Sequence, residues 1–234
     1  MPSKQQHLDE LAAAIVFNDI CPQLHQQATQ LVMGSGNPDA AVVLIGEAPG
    51  KKEDETGLPF VGASGRFLDL MLGGAGMERQ DVYITNIVKY RPPSNRDPTA
   101  AEKAAFLPYL IQQLEIIEPR VVITLGRHSM ACFLPDESIA DAHGRVRYMK
   151  VYRSAFREPT ADGVRGTYDY RTEVYKEDSS GELAEEKPAL IDEQLIATWL
   201  FAPLYHPAAA LYNGSRRQEL IDDFIKVTRS LPLN

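Results

Sequence analysis

A chain of 234 residues, 44% hydrophobic and 24% charged, is long enough to bury one sizeable core. No stretch approaches a membrane span, and Met1-Pro2-Ser3-Lys4-Gln5 lacks the apolar centre of a secretory leader, so a cytoplasmic location is expected. Two cysteines, Cys21 and Cys132, exclude a disulfide framework or a four-cysteine metal site, and a net charge of −8 excludes a generally basic nucleic-acid coat while leaving room for a local basic face.

Residues 7–17 place apolar side chains at helical spacing, which predicts a helix packed on the body and ended by Cys21-Pro22. Gly34-Ser35-Gly36-Asn37-Pro38-Asp39 reads as a turn cluster. Ala41-Val42-Val43-Leu44-Ile45, closed by Gly46, reads as a buried parallel strand. A long polar loop with Gly, Pro, acids and lysines comes next and ends at Pro59-Phe60-Val61-Gly62. From about Ser64 a helix carries Phe67, Leu68, Met71 and Leu72 on one face and stops at Gly73-Gly74 and Gly76.

Asp81 to Lys89 is a second strand, and Tyr90 to Pro98 a loop. Thr99-Ala100-Ala101-Glu102 fits a capping box that opens a long helix, which runs to about Ile117 and is broken by Pro119. Val121 to Gly126 is a third buried strand, with a short helix from Arg127 to Phe133. Val146 to Tyr152 and Gly166 to Tyr175 read as two aromatic-rich strands, with Pro159 and Asp162-Gly163 in the turn between them. Trp199 to Tyr205 returns to the core as a last strand whose end carries His206-Pro207. A helix from roughly Ser215 to Ser230 completes the pattern. This alternation predicts an α/β fold: a three-layer α/β/α sandwich with a central, mostly parallel four-stranded sheet, plus an inserted β-hairpin. The domain expected is a single one, 1–234, with the insertion at about 145–195.

Charge is unevenly placed. Between Gly144 and Arg157 stand five basic residues, Arg145, Arg147, Lys150, Arg153 and Arg157, and no acid. Between Glu177 and Glu193 stand seven acids and one lysine, Lys187. The first stretch suits either phosphate contacts or an ordinary charged edge hairpin, and the second a solvated segment.

Three polar residues stand at or just beyond predicted strand ends: Glu47, Asn86 and His206. A doubly wound sheet gathers such ends along one edge, where open α/β sheets hold their ligands. Each residue alone also has an ordinary structural explanation, so the convergence carries the argument. A P-loop is excluded, because Gly50-Lys51-Lys52 lacks the hydroxyl that would hold magnesium and the glycine spacing is wrong. The dinucleotide fingerprint is absent as well, since Gly46-Glu47-Ala48-Pro49-Gly50 puts a proline where a helix N-terminus should open.

Gly46-Glu47-Ala48-Pro49-Gly50 with Glu53-Asp54, then Gly57-Leu58-Pro59-Phe60-Val61-Gly62, Tyr83 to Lys89, Arg91-Pro92-Pro93, and His206-Pro207-Ala208 together closely resemble the uracil-DNA glycosylase superfamily. The nearest match is its fourth, bacterial and archaeal, family. Residues 34–40 also resemble that family's approach to its first strand. The resemblance covers nearly all of the chain except 145–195. It implies a monofunctional DNA-repair enzyme that flips uracil out of DNA and hydrolyses the base–sugar bond.

By position, the resemblance implies that Phe60 stacks on the extruded uracil. Asn86 bonds the pyrimidine edge and separates uracil from cytosine. His206 lies at uracil O2 and stabilises charge as the base departs. Glu47 and the backbone near Gly50 position the water, with Gly46, Ala48 and Asp54 completing the substrate set. Ala48 stands where a better-known branch of the superfamily has a catalytic aspartate, which leaves the identity of the base open. Arg91, Arg96, Arg145, Arg147 and Lys150 are the candidates for DNA contacts.

Members of this kind usually carry a four-iron cluster on four cysteines. Here only Cys21 stands at a matching position, and Asn18, Tyr90 and Phe106 occupy the other three. No iron–sulfur cluster and no other cofactor or metal is expected, and packing around Tyr90 and Phe106 takes its structural place. Cys132 reads as a small buried hydrophobe. Another branch captures the abasic sugar covalently through a histidine in an added basic loop after the second strand. Arg91 to Pro98 has neither the histidine nor the insertion. A diverged interaction module using residues 177–193 is the remaining alternative. A monomer is expected.

Overall fold

The computed structural model describes residues 2–157, 167–175, 193–212, 214 and 216–229, excluding the side chains of 155–157, 167–169 and 212. Pro159, Asp162-Gly163, the acidic stretch up to residue 192, Ser215 and Ser230 lie outside the described residues. In chain order the elements are α1 (Lys4–Phe17), α2 (Pro22–His25), β1 (Ser35–Gly36), β2 (Val42–Gly46), α3 (Lys51–Thr56), α4 (Ala63–Gly74), β3 (Val82–Asn86), α5 (Ala100–Ile117), β4 (Val121–Leu125), α6 (Arg127–Met130) and α7 (Ile139–Ala142). Then come β5 (Arg147–Arg157), β6 (Thr167–Tyr175), β7 (Gln194–Leu204), α8 (Ala209–Tyr212) and α9 (Arg216–Arg229).

The strands form one sheet in the order β1-β3-β2-β4-β7-β5-β6. Its middle, β3-β2-β4-β7, is parallel throughout. β1 is antiparallel at one edge, and β5 and β6 are antiparallel at the other. β2 is buried throughout, and its side chains alternate between the two faces. Val43 and Ile45 pack with Leu8, Leu11 and Ile15 of α1 and with Phe106, Leu110 and Leu114 of α5. Val42 and Leu44 face the opposite layer, with Phe67, Leu68 and Met71 of α4 and Phe224 and Val227 of α9. Helices thus cover both faces, as all-parallel strands buried on both sides require. Each of these large apolar side chains contributes about 1.5–3 kcal/mol of transfer energy, so the three from α1 alone are enough to pin that helix to the sheet.

The cap expected at Thr99 is present, while α1 opens at Lys4, earlier than the expected 7–17, on a second capping box. In α1, Ser3 Oγ accepts from the Gln6 N–H while Gln6 Oε1 accepts from the Ser3 N–H. In α5, Thr99 Oγ1 accepts from the Glu102 N–H, and Glu102 Oε2 accepts from the Thr99 N–H at 2.8 Å.

The differences from expectation are local. The loop after β2 is not irregular, because α3 opens directly after Gly50. Ser35–Gly36, expected as turn, pairs as a short edge strand on β3. The inserted strands are no separate appendage: β5 pairs with β7, and β7 runs back to Gln194 to meet it. The sheet therefore has seven strands among the described residues.

Candidate active site

The parallel strands end in register. Gly46 lies opposite Asn86, and Leu125 opposite Leu204. The residues just beyond these strand ends are thereby delivered to one edge of the sheet. A cavity of about 320 Å³ opens there, its walls including Ala48, Gly50, Glu53, Phe60, Asn86 and His206. A methyl group at Gly46 would sit 2.3 Å from Asn86 Oδ1 and 2.6 Å from the Phe60 ring. Bare backbone at that position is what lets the amide and the ring approach each other.

Phe60 is held unusually. Its φ of 53° is left-handed, a conformation that costs a bulky residue about 1–3 kcal/mol and needs outside support. Arg79 supplies part of it, donating through Nη1 to Pro59 O at 3.2 Å and through Nη2 to Phe60 O, while its Nε bonds Asp69 at 2.6 Å. Gly65 supplies another part, since a Cβ there would lie 1.6 Å from Phe60 O. Glu53 supplies a third: its Oε1 accepts from the N–H groups of Val61 and Gly62, both at 2.9 Å. That carboxylate satisfies backbone donors at the start of α4, where negative charge is favoured.

Asn86 is 2% exposed, yet its side-chain amide bonds no other described residue, leaving a donor and an acceptor turned to the cavity. Its main-chain carbonyl is anchored by Lys89, which is fully buried. Lys89 Nζ donates to Thr85 Oγ1 at 2.6 Å, Asn86 O at 2.8 Å and Gln113 Oε1 at 2.7 Å. Gln113 is oriented for this, because its amide nitrogen donates to Met33 O and Tyr83 OH. Burial drives the Lys89 pKa well down, and three well-placed acceptors oppose that shift.

His206 faces Phe60, ring centres 5.7 Å apart and planes 29° apart. The Ala208 N–H donates to His206 Nδ1 at 3.1 Å. Nδ1 is therefore an acceptor, and the neutral ring carries its proton on Nε2. Burial, helped by nearby His128, pushes the His206 pKa down to about 4, so the ring is a neutral donor at physiological pH.

Glu47 does not line this cavity. It lines the adjoining one, of about 290 Å³, together with Asp97, Arg127 and His128, and His206 borders both. Burial first and Asp97 second push the Glu47 pKa up to about 7, against the pull of Arg127 and Lys103. His128 Nε2 stands 3.0 Å from Asp97 and 4.0 Å from Glu47. These three could reach one metal ion, their ligand atoms lying within 4.8 Å of each other. The Arg127 guanidinium already supplies positive charge there, with Nε 3.0 Å from His128 Nε2 and Nη2 3.2 Å from Asp97 Oδ2.

Several expected site residues lie elsewhere. Asp54 is turned away from the cavity, accepting from Thr29 N at 2.8 Å and Thr29 Oγ1 at 2.9 Å to tie α3 to the segment after α2. Arg96 is committed to Glu102 through two hydrogen bonds, of 2.8 and 2.6 Å. Arg147 is buried against Glu137, at 2.9 and 2.7 Å. Lys150 is buried over the Tyr175 ring. Each of these three is turned onto a partner within the fold. Arg91 donates to Asn95 at 2.7 Å, and Arg145 is exposed.

The residues that sequence reasoning missed are those that act on the backbone: Arg79, Gly65, Lys89 and Gln113. Nothing in local spacing marks them, since each works through the folded backbone around it. Glu53, expected only as part of a motif, had a visible cue in lying shortly before the Gly62 helix start.

The fourfold thiolate site implied by the resemblance does not fit these residues. Cys21 has its thiol pushed up to about 11 by burial and by Glu102, the opposite of a ligand thiolate. Tyr90 and Phe106 meet edge to face at 6.0 Å, and His25 stacks on Tyr90 at 5.1 Å, filling the space with rings.

The sequence has relatives among known proteins. Residues 33–229 match the model of the Uracil DNA glycosylase superfamily. The chain is 39% identical over 221 residues to a type-4 uracil-DNA glycosylase of Sulfurisphaera tokodaii, covering 94% of this chain and 83% of that one. It is 37% identical over 222 residues to its counterpart in Archaeoglobus fulgidus, covering 95% and 92%. Against the counterpart in Thermotoga maritima it is 46% identical over 140 residues, 60% of this chain and 72% of that one.

Proposed function

The chain belongs to the uracil DNA glycosylase superfamily, and from that membership we propose that it excises uracil from DNA by hydrolysing the N-glycosidic bond, leaving an abasic site. A base inside a duplex must leave the stack before its bond to the sugar can be reached. The observation that carries the reading is the pairing of an unpartnered Asn86 amide with a neutral His206 donor on one cavity beside the Phe60 ring.

Phe60 holds the pyrimidine by its face. The Asn86 amide nitrogen donates to uracil O4, and its oxygen accepts from N3–H. Cytosine reverses both polarities, so it leaves two buried groups unpaired, and such mismatches are rejected strongly. As the C1′–N1 bond breaks, its electron pair moves into the pyrimidine and builds negative charge at O2. The Nε2–H of His206 meets that charge, and as a neutral donor it does so without prior loss of a proton. Water adds to C1′ and gives its proton to Glu47, whose pKa of about 7 suits a base working near neutrality.

The test is release of free uracil from an oligonucleotide carrying a single uracil, with the strand left uncut until alkali is added. A folded preparation that releases none refutes the reading.

A further inference from the structure

A second cavity, of about 350 Å³, adjoins the substrate cavity and is lined by Ala63, Arg66, Phe67, Leu70, Leu211 and Arg217. Ala63 and Leu211 are walls of both. Its apolar surface comes from two half-exposed leucines, Leu70 and Leu211, over the buried Phe67. Its charge comes from two exposed guanidinium groups, and the one of Arg217 lies 5.2 Å from the Phe67 ring centre. Neither arginine makes an ion pair with a described residue. The nearest acid along α4, Asp69, is taken by Arg79 at 2.6 Å. Arginines elsewhere are engaged differently, Arg96 with Glu102, Arg147 with Glu137 and Arg153 with Glu115.

We propose that this second cavity seats the sugar-phosphate unit next to the extruded nucleotide, with its deoxyribose against Leu70 and Leu211 and its phosphate bonded by Arg66 and Arg217. The inference rests on the uracil-excision reading, because the shared walls make the occupant the next unit of the same strand. An apolar face beside two forked donors matches a sugar joined to a phosphodiester, and guanidinium groups bond phosphate bidentately. On a chain with a net charge of −8, two such cations at the mouth also decide where a polyanion lands.

The test measures single-turnover uracil release against enzyme concentration at several potassium chloride concentrations, using a short single-stranded oligonucleotide with one uracil. Removing one phosphate contact lowers the slope of log affinity against log salt by about 0.7 for single strands. Arg66→Gln and Arg217→Gln are each expected to show that drop in slope and about tenfold weaker half-saturation at physiological salt. The maximal rate should stay within about threefold of wild type, because neither residue touches the base. Arg229→Gln, more than three turns further along α9, is the control for general charge loss and should leave the slope unchanged. Wild-type slopes in both cavity variants, an equal drop in Arg229→Gln, or a fall in maximal rate without weaker half-saturation would each overturn the assignment. A wild-type protein that releases no uracil refutes the excision reading before any variant is compared.

Discussion

His206 and Glu47 line one cavity, yet their environments shift them in opposite directions. Burial holds His206 neutral with a pKa down to about 4, and raises Glu47 to about 7. The proposed base, Glu47, must be deprotonated to act, so excision is expected to rise with pH through about 7 and then level off. His206 titrates too low to impose a second limb between pH 5 and 8. Glu47→Gln should lower the rate and flatten the profile, which a pH series on wild type and variant reads directly. Tyr90 offers a test of a different kind. Its hydroxyl is buried without a hydrogen-bond partner, whereas in the unfolded chain it bonds water. Tyr90→Phe is therefore expected to stabilise the protein by about 1 kcal/mol in denaturant unfolding, with activity unchanged. Glu47, Asn86 and His206 were legible because each stands at the end of a strong apolar run. Lys89 was not, because its role depends on Thr85 and on Gln113 of a distant helix folding around it.

The start of α4 is where local structure and site meet. Gly65 admits the Phe60 carbonyl, Arg79 bonds it, and Glu53 caps the N–H groups beside it. Gly65→Ala must displace the Phe60 backbone, since the added methyl would overlap its carbonyl. Uracil release should fall at least tenfold, and stability by about 1–3 kcal/mol, measured by single-turnover assay and denaturant titration. At α5 the effect should be smaller and confined to stability, with Thr99→Ala costing about 1 kcal/mol through the cap. The helix α5 was legible through its cap: Thr99 with Glu102 marked its start to the residue. The loop after β2 hid α3, because six residues of helix after a Gly-Pro-rich stretch have too little periodicity to show.

The central parallel strands could be read from their apolar runs, and the sandwich from the alternation of strands with helices. The position of β5 and β6 could not. Whether an inserted pair of strands joins the sheet or stands apart depends on β7 extending to Gln194, and that part of β7 is only partly buried and carries no core pattern. Pairing on both sides predicts slow exchange for the Met149 and Val151 amides, approaching that of β4, in native-state hydrogen exchange. An appended flap would exchange through local opening instead. Over the whole molecule, the proposed function depends on Asn86 and His206, at strand ends far apart in sequence, meeting on one extruded pyrimidine. The direct measurement is the single-turnover rate of uracil release by wild type, Asn86→Ala and His206→Ala, each confirmed folded by circular dichroism. Rates lowered at least a hundredfold in both variants are predicted, in line with the loss of a donor aimed at developing charge. Wild-type rates in either folded variant would contradict it.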